Sequence, residues 1–371
     1  MIEPLCRVHL NWENFRRNIM QMARKGKTLM PVIKADAYGH GVLRAAAELT
    51  ALGVDWAAVG TLAEAEQVRD SGYAGTLVSL LCRTPSLEQL RTAQKKRLVP
   101  LIHNREGLEA VAAFIQEDGS QPLYIALKTD TGMGRLGFLP EELDEVADRL
   151  AALSGVVPLV LISHLSVADE PEQDAYTKEQ AARFRMAADT LHRRFPDMRC
   201  SLGNTAGLLS HTDEAGDICR PGLAVYGYNP MHGTSRAEDG EGFLPVMGVS
   251  APLMSVHSLK KGESLGYGRS YVADSDRLVG WVAIGYADGY RRNPAPGTAM
   301  CVDGVRVPVI GRVAMQMTCV DLTDLPCPPV PGDDVWVMGG PGDAVTAQDL
   351  AGWWDTIPYE VICLLGKNRR D

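Results

Sequence analysis

The sequence predicts an α/β chain, a (β/α)8 TIM barrel followed by a mainly β C-terminal domain. Three observations carry this. Eight short apolar runs recur over the first two-thirds of the chain, with amphipathic stretches between most of them. The runs are continuously apolar instead of alternating, as parallel strands covered by helices must be. Near residue 230 the pattern changes to short strands separated by turns. The expected division is 1–235 for the barrel and 236–371 for the β-rich domain.

In chain order, residues 6–10 alternate apolar and polar, as a half-exposed strand does. This strand precedes the barrel and has no partner there, so it is expected to join the β domain. Asn11 is placed to cap a helix running to about Lys25. Barrel strands are expected at 29–34, 56–60, 76–81, 98–102, 122–128, 157–164, 198–203 and 217–220, with helices at 42–52, 62–70, 87–96, 106–116, 141–153 and 178–194. In such a barrel, chemistry sits at the C-terminal strand ends. A doubly wound open sheet is the structural alternative, but its G-x-G-x-x-G fingerprint is absent after the first strand. Residues 229–242, rich in Gly, Pro and Ser, read as a linker or exposed loop. Beyond them strands are expected at 246–258, 279–284, 299–302, 305–310, 317–321 and 334–338, forming a small barrel or sandwich. A helix at 346–354 and the segment 359–365 close the chain.

Bulk properties narrow the function. A hydrophobic content of 46% and a charged content of 22% over 371 residues are those of a globular protein with a sizeable core. A net charge of −9 argues against nucleic acid or an anionic membrane as the main partner. No secretory signal is visible at the N-terminus, and the longest apolar stretch, 156–162, is too short to span a bilayer. The eight cysteines form no C-x-x-C, so buried free thiols in a reducing cytoplasm are expected. The eight histidines form no H-x-x-x-H or Cys/His cluster, and no metal site is expected.

The stretch that organises the chain is Pro31-Val32-Ile33-Lys34-Ala35-Asp36-Ala37-Tyr38-Gly39-His40-Gly41. A lysine ending a buried strand under a Gly-rich turn is well placed to form a Schiff base. Taken alone, a strand-end lysine pointing to water is the commoner case. This stretch, however, resembles the cofactor-lysine motif of alanine racemases, pyridoxal-phosphate enzymes of fold type III. The resemblance extends through Leu127-Lys128-Thr129-Asp130-Thr131-Gly132-Met133-Gly134-Arg135-Leu136-Gly137, Ser163-His164, Asn204-Thr205-Ala206, the run from Arg220 to Gly227, Gly266-Tyr267-Gly268-Arg269, the run from Gly285 to Tyr290, Gly311-Arg312-Val313-Ala314-Met315, and Pro358-Tyr359-Glu360. These motifs follow one another in the family's order over nearly the whole chain.

The resemblance implies interconversion of L- and D-alanine with pyridoxal 5'-phosphate, supplying D-alanine for peptidoglycan. It implies that Lys34 carries the cofactor and is the base toward the D-enantiomer, with Tyr267 the base toward the L-enantiomer. A free tyrosine has a pKa of about 10, so Tyr267 needs positive charge nearby. Arg220 is implied to face the pyridine nitrogen. An arginine does not protonate the ring, which keeps the electron sink weak. His164 is implied to hold Arg220 from behind. Asn204, Thr205, Gly222, Leu223, Tyr38 and Tyr359 are implied around the phosphate, a usual barrel position. Arg135 and the Met315 N–H are implied for the substrate carboxylate, with Lys128, carbamylated in many relatives, steadying Arg135. Asp169, Tyr286, Arg292 and Arg312 are implied to line the substrate-access corridor. The family also implies a head-to-tail homodimer in which the β domain of one subunit covers the barrel of the other.

Three features depart from the family pattern: Gln316 where Asp is usual, Thr205 where Ser is common, and a C-terminal tail without Arg-Val-Pro-Arg. A serine or broad-spectrum racemase is the same-class alternative. Tyr359, which narrows the space beyond the β-carbon, favours alanine. A non-catalytic pyridoxal-phosphate-binding protein is the different-class alternative, and residues 240–371 with Tyr267 weigh against it. A fold-type-III decarboxylase is disfavoured because it wants an acidic ring-nitrogen partner where Arg220 stands.

Overall fold

The computed structural model describes residues 5–119, 121–293 and 295–369. They form two compact units. One holds Glu13–Ala37 and Val42–Leu244; the other holds the segment ending at Trp12, Tyr38–Gly41 and the chain from Pro245 onward.

The chain begins with strand β1 (Arg7–Leu10), which belongs to the second unit, and the helix Trp12–Ala23. The barrel strands follow: β2 (Thr28–Leu29), β3 (Trp56–Val59), β4 (Thr76–Ser79), β5 (Leu98–Ile102), β6 (Leu123–Lys128), β7 (Val156–Ile162), β8 (Arg199–Ser201) and β9 (Ile218–Cys219). β3 to β8 make one parallel ladder in sequence order, and β2 pairs in parallel with β9. Backbone hydrogen bonds join these two pieces. Ile33 N–H donates to Ala58 O at 2.8 Å, Ala58 N–H to Pro31 O at 3.0 Å, and Arg220 N–H to Gly203 O at 2.8 Å. All eight strands are thus bonded on both sides, which excludes the open doubly wound sheet. β5 is buried at all five positions, as a strand with a filled interior on one side and helices on the other must be.

Local capping chemistry fixes where the outer helices start. Thr61 with Glu64 and Ser86 with Gln89 form capping boxes for the helices Leu62–Asp70 and Leu87–Lys96, and Asn104 caps Arg105–Asp118. The helix expected at 178–194 instead runs Asp174–His192, because a 3-10 turn at Pro171–Gln173 leads into it. Residues 229–242, read from sequence as a linker, are tied to the barrel unit. Arg236 clamps the Asp174 carboxylate with both terminal nitrogens, and the Ser210 hydroxyl donates to Asp239 at 2.7 Å. Gln21 Nε2 donates to Glu241 O at 2.9 Å, and Asn18 bonds Leu244 in both directions. Those side chains lie far off in sequence, which is why local composition alone suggested a loose segment.

In the second unit, β10 (Met247–Leu259), β11 (Ser264–Leu265), β12 (Tyr271–Val272), β13 (Arg277–Val282), β14 (Ala299–Val302), β15 (Val305–Ile310), β16 (Thr318–Asp321) and β17 (Asp334–Met338) follow in order. The sheet order β10-β13-β16-β15-β14-β17 returns to β10, closing a six-stranded antiparallel barrel, with β1 added on β10. The long strand β10 serves both partners because its register shifts near Val249 and Leu253. Asp303-Gly304, with φ of 47° and 84°, makes the two-residue turn between β14 and β15. A small core of Leu259, Leu265, Ala273, Val279, Ile310 and Cys319 lies beneath the β11–β12 hairpin. Six of the eight free cysteines are buried; Cys327 is exposed and Cys363 half-buried.

The helices Ala347–Trp354 and Pro358–Leu365 close this unit, followed by a 3-10 turn at Gly366–Asn368. Despite the tail's unusual sequence, its residues 366–368 are packed. Asn368 Nδ2 donates to Asp288 O at 2.7 Å, and Gly366 lies against Gly39 so closely that a Cβ on Gly39 would stand 2.9 Å from Gly366 Cα. Gly39 also has φ +83°. Gly39→Ala is therefore expected to destabilise the protein by at least about 1–2 kcal/mol, the cost of the left-handed conformation before the clash is added, measured as a lower urea midpoint.

Candidate active site

The residues expected at the C-terminal ends of the barrel strands gather there in the barrel unit. Lys34 follows directly on the strand extension that ends at Ile33 and is half-buried. The next four residues, Ala35, Asp36, Ala37 and Tyr38, all lie in the left-handed region with φ of 52°, 54°, 53° and 54°. Left-handed helical geometry costs an L-residue about 1–2 kcal/mol, so this turn persists only because its surroundings fix it. Two carboxylates do so within the barrel unit. Glu64 accepts the N–H of Ala35 at 3.0 Å while also accepting those of Gly60 at 2.6 Å and Thr61 at 3.0 Å. Asp36 Oδ1 accepts the N–H of Val42 at 2.8 Å and so starts the helix Val42–Ala51. Glu64 was not foreseen as a site residue. Its signal was the T-x-x-E capping box at Thr61, but nothing local says that the same carboxylate reaches Ala35.

Arg220, just past β9, is 4% exposed and has no carboxylate partner among the described residues. Nη1 donates to Ser201 O at 2.7 Å and Ser201 Oγ at 2.6 Å; Nη2 donates to Ser163 O at 2.5 Å, with His164 Nδ1 at 3.3 Å and Leu202 O at 3.4 Å. Burial brings the guanidinium down to about 10, so it stays charged at neutral pH. That charge governs its neighbours. His164 is pushed well below its ordinary range by burial and then by Arg220, so it is neutral and offers Nδ1 as an acceptor. Lys128, at the end of β6 and 7% exposed, is brought down to about 7, first by burial and then by Arg220.

After β6 the chain folds round Asp130. Partial burial opposes its ionisation, but the N–H groups of Gly132, Gly134 and Arg135 and the charge of Lys128 hold its carboxyl below the usual range. The Tyr176 hydroxyl donates to Gly132 O at 2.8 Å and Arg183 to Thr131 O at 3.4 Å, so the helix Asp174–His192 holds this loop and presents Arg135, which is exposed. Tyr176 and Arg183 were also not foreseen. Asp169, in the loop after β7, is half-buried, and burial raises its carboxyl. After β8, Asn204 caps the short helix Thr205–Ser210 through Gly207 N–H at 2.9 Å, and the Thr205 hydroxyl accepts Gly222 N–H at 3.0 Å. Gly222 and Leu223 open the 3-10 turn after Arg220.

The other expected residues belong to the second unit. Tyr267 sits in the turn between β11 and β12 and is 66% exposed. The Arg312 guanidinium lies beside Gly268, 2.8 Å from where its Cβ would be. Tyr286 N–H donates to Ala314 O at 3.1 Å and Ala287 N–H to Met315 O at 2.9 Å, which fixes the Ala314–Met317 turn, itself closed at 2.9 Å. Met315 is exposed, and its N–H makes no hydrogen bond among the described residues. Arg292 and Gln316 are exposed as well. Tyr38 is buried with its ring 5.9 Å from that of Tyr359, and burial, then Tyr359, raise its phenol. Among the described residues no group of three or more His, Cys, Asp or Glu is placed to hold a metal ion, and no helix is long and apolar enough to cross a membrane.

A barrel with a lysine, an acid-free arginine and polar loops on its C-terminal face, continued by a six-stranded β-barrel, defines a narrow class of proteins. The profile of the alanine racemase N-terminal domain matches residues 10–230, and that of the C-terminal domain matches 246–370. An alanine racemase of Nitratidesulfovibrio vulgaris (strain DSM 19637 / Miyazaki F) is 43% identical over 355 residues, covering 96% of this chain and 94% of that one. The crystal structure of the biosynthetic alanine racemase from Pseudomonas aeruginosa superposes with a TM-score of 0.86 at 33% identity, covering 98% and 97% of the two chains. The Bartonella henselae alanine racemase, solved with covalently bound pyridoxal phosphate, shares the fold with a TM-score of 0.87 at 23% identity over 99% of each chain. The chain belongs to the alanine racemase family.

Lys128 makes the electrostatics testable through pH. Its folded-state pKa of about 7 lies below the ordinary 10.5, so between these values the unfolded chain binds the extra proton and stability rises with pH. Below about 7 the native state must bury the charge, and that penalty is fully present. In carbon-dioxide-free buffer, Lys128→Met is expected to flatten this rise, whose slope is at most about 1.4 kcal/mol per pH unit, read from denaturant titrations across the window.

Proposed function

We propose that the protein interconverts L-alanine and D-alanine, using pyridoxal 5'-phosphate held at the C-terminal face of the barrel. The observation that carries this is Arg220, a cation buried among neutral acceptors on the same face as the strand-end Lys34. An arginine so placed suits a pyridine nitrogen, to which it offers a hydrogen bond without giving up its proton. Lys34 suits the aldehyde, and the paired Thr205 hydroxyl and Gly222 N–H, with Asn204, Leu223, Tyr38 and Tyr359, suit the phosphate. When bound, the cofactor supplies the electron sink that makes the α-proton of alanine removable.

The chain's own groups do the rest. Lys34 Nζ takes or returns the proton on one face, toward the D-enantiomer, and the Tyr267 phenol does so on the other, toward the L-enantiomer. Arg135 and the Met315 N–H hold the substrate carboxylate and so fix the α-carbon between the two bases. His164 is neutral, and its Nδ1 lone pair supports Arg220 without competing for charge. Tyr359 limits the space beyond the β-carbon, which favours alanine over serine. Asp169, Tyr286, Arg292 and Arg312 line the way in. The depressed Lys128 amine is suited to react with carbon dioxide, and a carbamate there would give Arg135 an anionic neighbour. Uptake of 13C-bicarbonate into a signal that Lys128→Met lacks tests that modification.

The β unit exposes Tyr267, Tyr286, Met315 and Met317, linked through the Ala314–Met317 turn and Arg312. Large exposed apolar groups of this kind call for a covering surface. This supports a head-to-tail homodimer in which the Tyr267 of one copy serves the Lys34 of the other. The same reading puts the enzyme in the cytoplasm, with D-alanine passing to peptidoglycan.

Circular dichroism of L-alanine and L-serine incubated with the protein tests the activity and the preference together: optical rotation is expected to decay with L-alanine and to persist with L-serine. Lys34→Ala is expected to remove the visible band of the bound cofactor, and a borohydride-reducible adduct in that variant refutes the role of Lys34. Tyr267→Phe should retain the cofactor and lose racemisation, sparing α-proton exchange of the D-enantiomer more than that of the L-enantiomer. Mixing the two inactive variants should restore activity to about a quarter of wild type, since half of randomly mixed dimers hold one intact site. Background activity after demonstrated subunit exchange refutes the shared site.

A further inference from the structure

Ser201, the last residue of β8, is fully buried and touches Arg220 twice, through its carbonyl and through its hydroxyl. The hydroxyl has one proton and two lone pairs. Its proton goes to Ile218 O on β9 at 2.6 Å, so the oxygen turns its lone pairs to Arg220 Nη1 at 2.6 Å. The side chain thereby bridges two neighbouring strands with a single allowed orientation. Together with the Ser163 and Leu202 carbonyls and His164 Nδ1, it engages both terminal nitrogens of the guanidinium. Nε alone has no partner among the described residues. None of the acceptors is a carboxylate, so the orientation of the cation comes entirely from neutral dipoles, and Ser201 supplies both bonds to Nη1.

We propose that Ser201 is a positioning residue for Arg220, its hydroxyl fixing the guanidinium so that Nε–H is the donor presented to the ring nitrogen of pyridoxal phosphate. The proposal deepens the reading given above and rests on it for the identity of the group that Nε meets. Without the hydroxyl, one N–H of Nη1 is left buried and unmatched, and the guanidinium gains freedom to turn toward other acceptors. A group that merely filled space between β8 and β9 would be replaced by alanine without any change at Arg220.

The test compares Ser201→Ala, which removes only the oxygen, with Ser201→Thr, which keeps it. Loss of one hydrogen bond to a charged donor is expected to weaken binding of pyridoxal phosphate to the apo-protein about tenfold. It is expected to lower kcat by a similar factor, leave KM for alanine within about twofold, and move the pH midpoint of the cofactor's visible band. Ser201→Thr should restore all three toward wild type. In 15N-arginine-labelled apo-protein the Arg220 side-chain N–H signals should exchange slowly in wild type and rapidly in Ser201→Ala. Unchanged exchange, an unmoved visible band, or a defect that Ser201→Thr leaves unrepaired overturns the positioning role. Failure of the wild-type protein to take up pyridoxal phosphate overturns the cofactor reading instead, a result that the exchange measurement on apo-protein keeps separate.

Discussion

A cation sealed into a barrel, with no anion bonded to it among the described residues, sets the terms for what surrounds it. Arg220 is held by carbonyls, a hydroxyl and an imidazole nitrogen, so its charge is solvated by dipoles and not cancelled. In a low-dielectric surrounding an uncancelled charge acts over several ångströms. Burial is the larger cause, and after it this charge helps to keep His164 neutral and Lys128 poised near loss of its proton. A carboxylate partner would have relieved the burial cost of the arginine and returned Lys128 toward its ordinary state. It would also have removed the feature on which the proposed fit to a basic ring nitrogen rests. The arrangement keeps a desolvated positive charge whose acceptors are all neutral.

The second constraint is geometric. Four residues with side chains, from Ala35 to Tyr38, occupy a conformation that glycine tolerates best. Their strain is held by Glu64 and Asp36, whose carboxylates satisfy backbone N–H groups on three sides of the turn. The left-handed run begins immediately after Lys34 in the barrel unit. In the second unit Tyr38 pairs with Tyr359, the rings 5.9 Å apart. Backbone strain of this kind clusters at functional sites, and here it stands directly beside Lys34.

Much of this was legible in the sequence. The eight apolar runs and the capping signals at Thr61, Ser86 and Asn104 are local, and the strands and helices fell within a few residues of expectation. So did the placement of Lys34, Lys128, His164 and Arg220 on one face, since strand ends define that face. What stayed hidden was every contact made across distance. Glu64 looks like an ordinary capping residue until its second oxygen is seen on Ala35. Ser201 looks like a small residue in a strand until Arg220 turns back onto it. Residues 229–242 look like a linker because the partners that order them, Gln21, Asp174 and Ser210, are encoded elsewhere. The left-handed run at Ala35–Tyr38 had almost no signal, since Asp36 alone among its residues visits that region readily. Closure of the β unit through β17 and β10 was likewise beyond periodicity, which reports strands but not their neighbours.

The pairing of β1 with β10 has a consequence for synthesis. Arg7 faces Ser250 and Leu10 faces Met247, so a strand made among the first residues waits for partners more than two hundred positions later. Through that interval the ribosome has delivered the residues of the barrel, which form a compact unit without β1. Strand β1 must meanwhile trail as an unpaired edge, the kind of segment that recruits wrong neighbours. Its composition limits the hazard. Arg7 and His9 alternate with Val8 and Leu10, and the Arg7 charge meets its counterpart, Asp334, only once the last strand of the second barrel exists. Strand β1 thus precedes its partner in translation and can pair only after that partner is made.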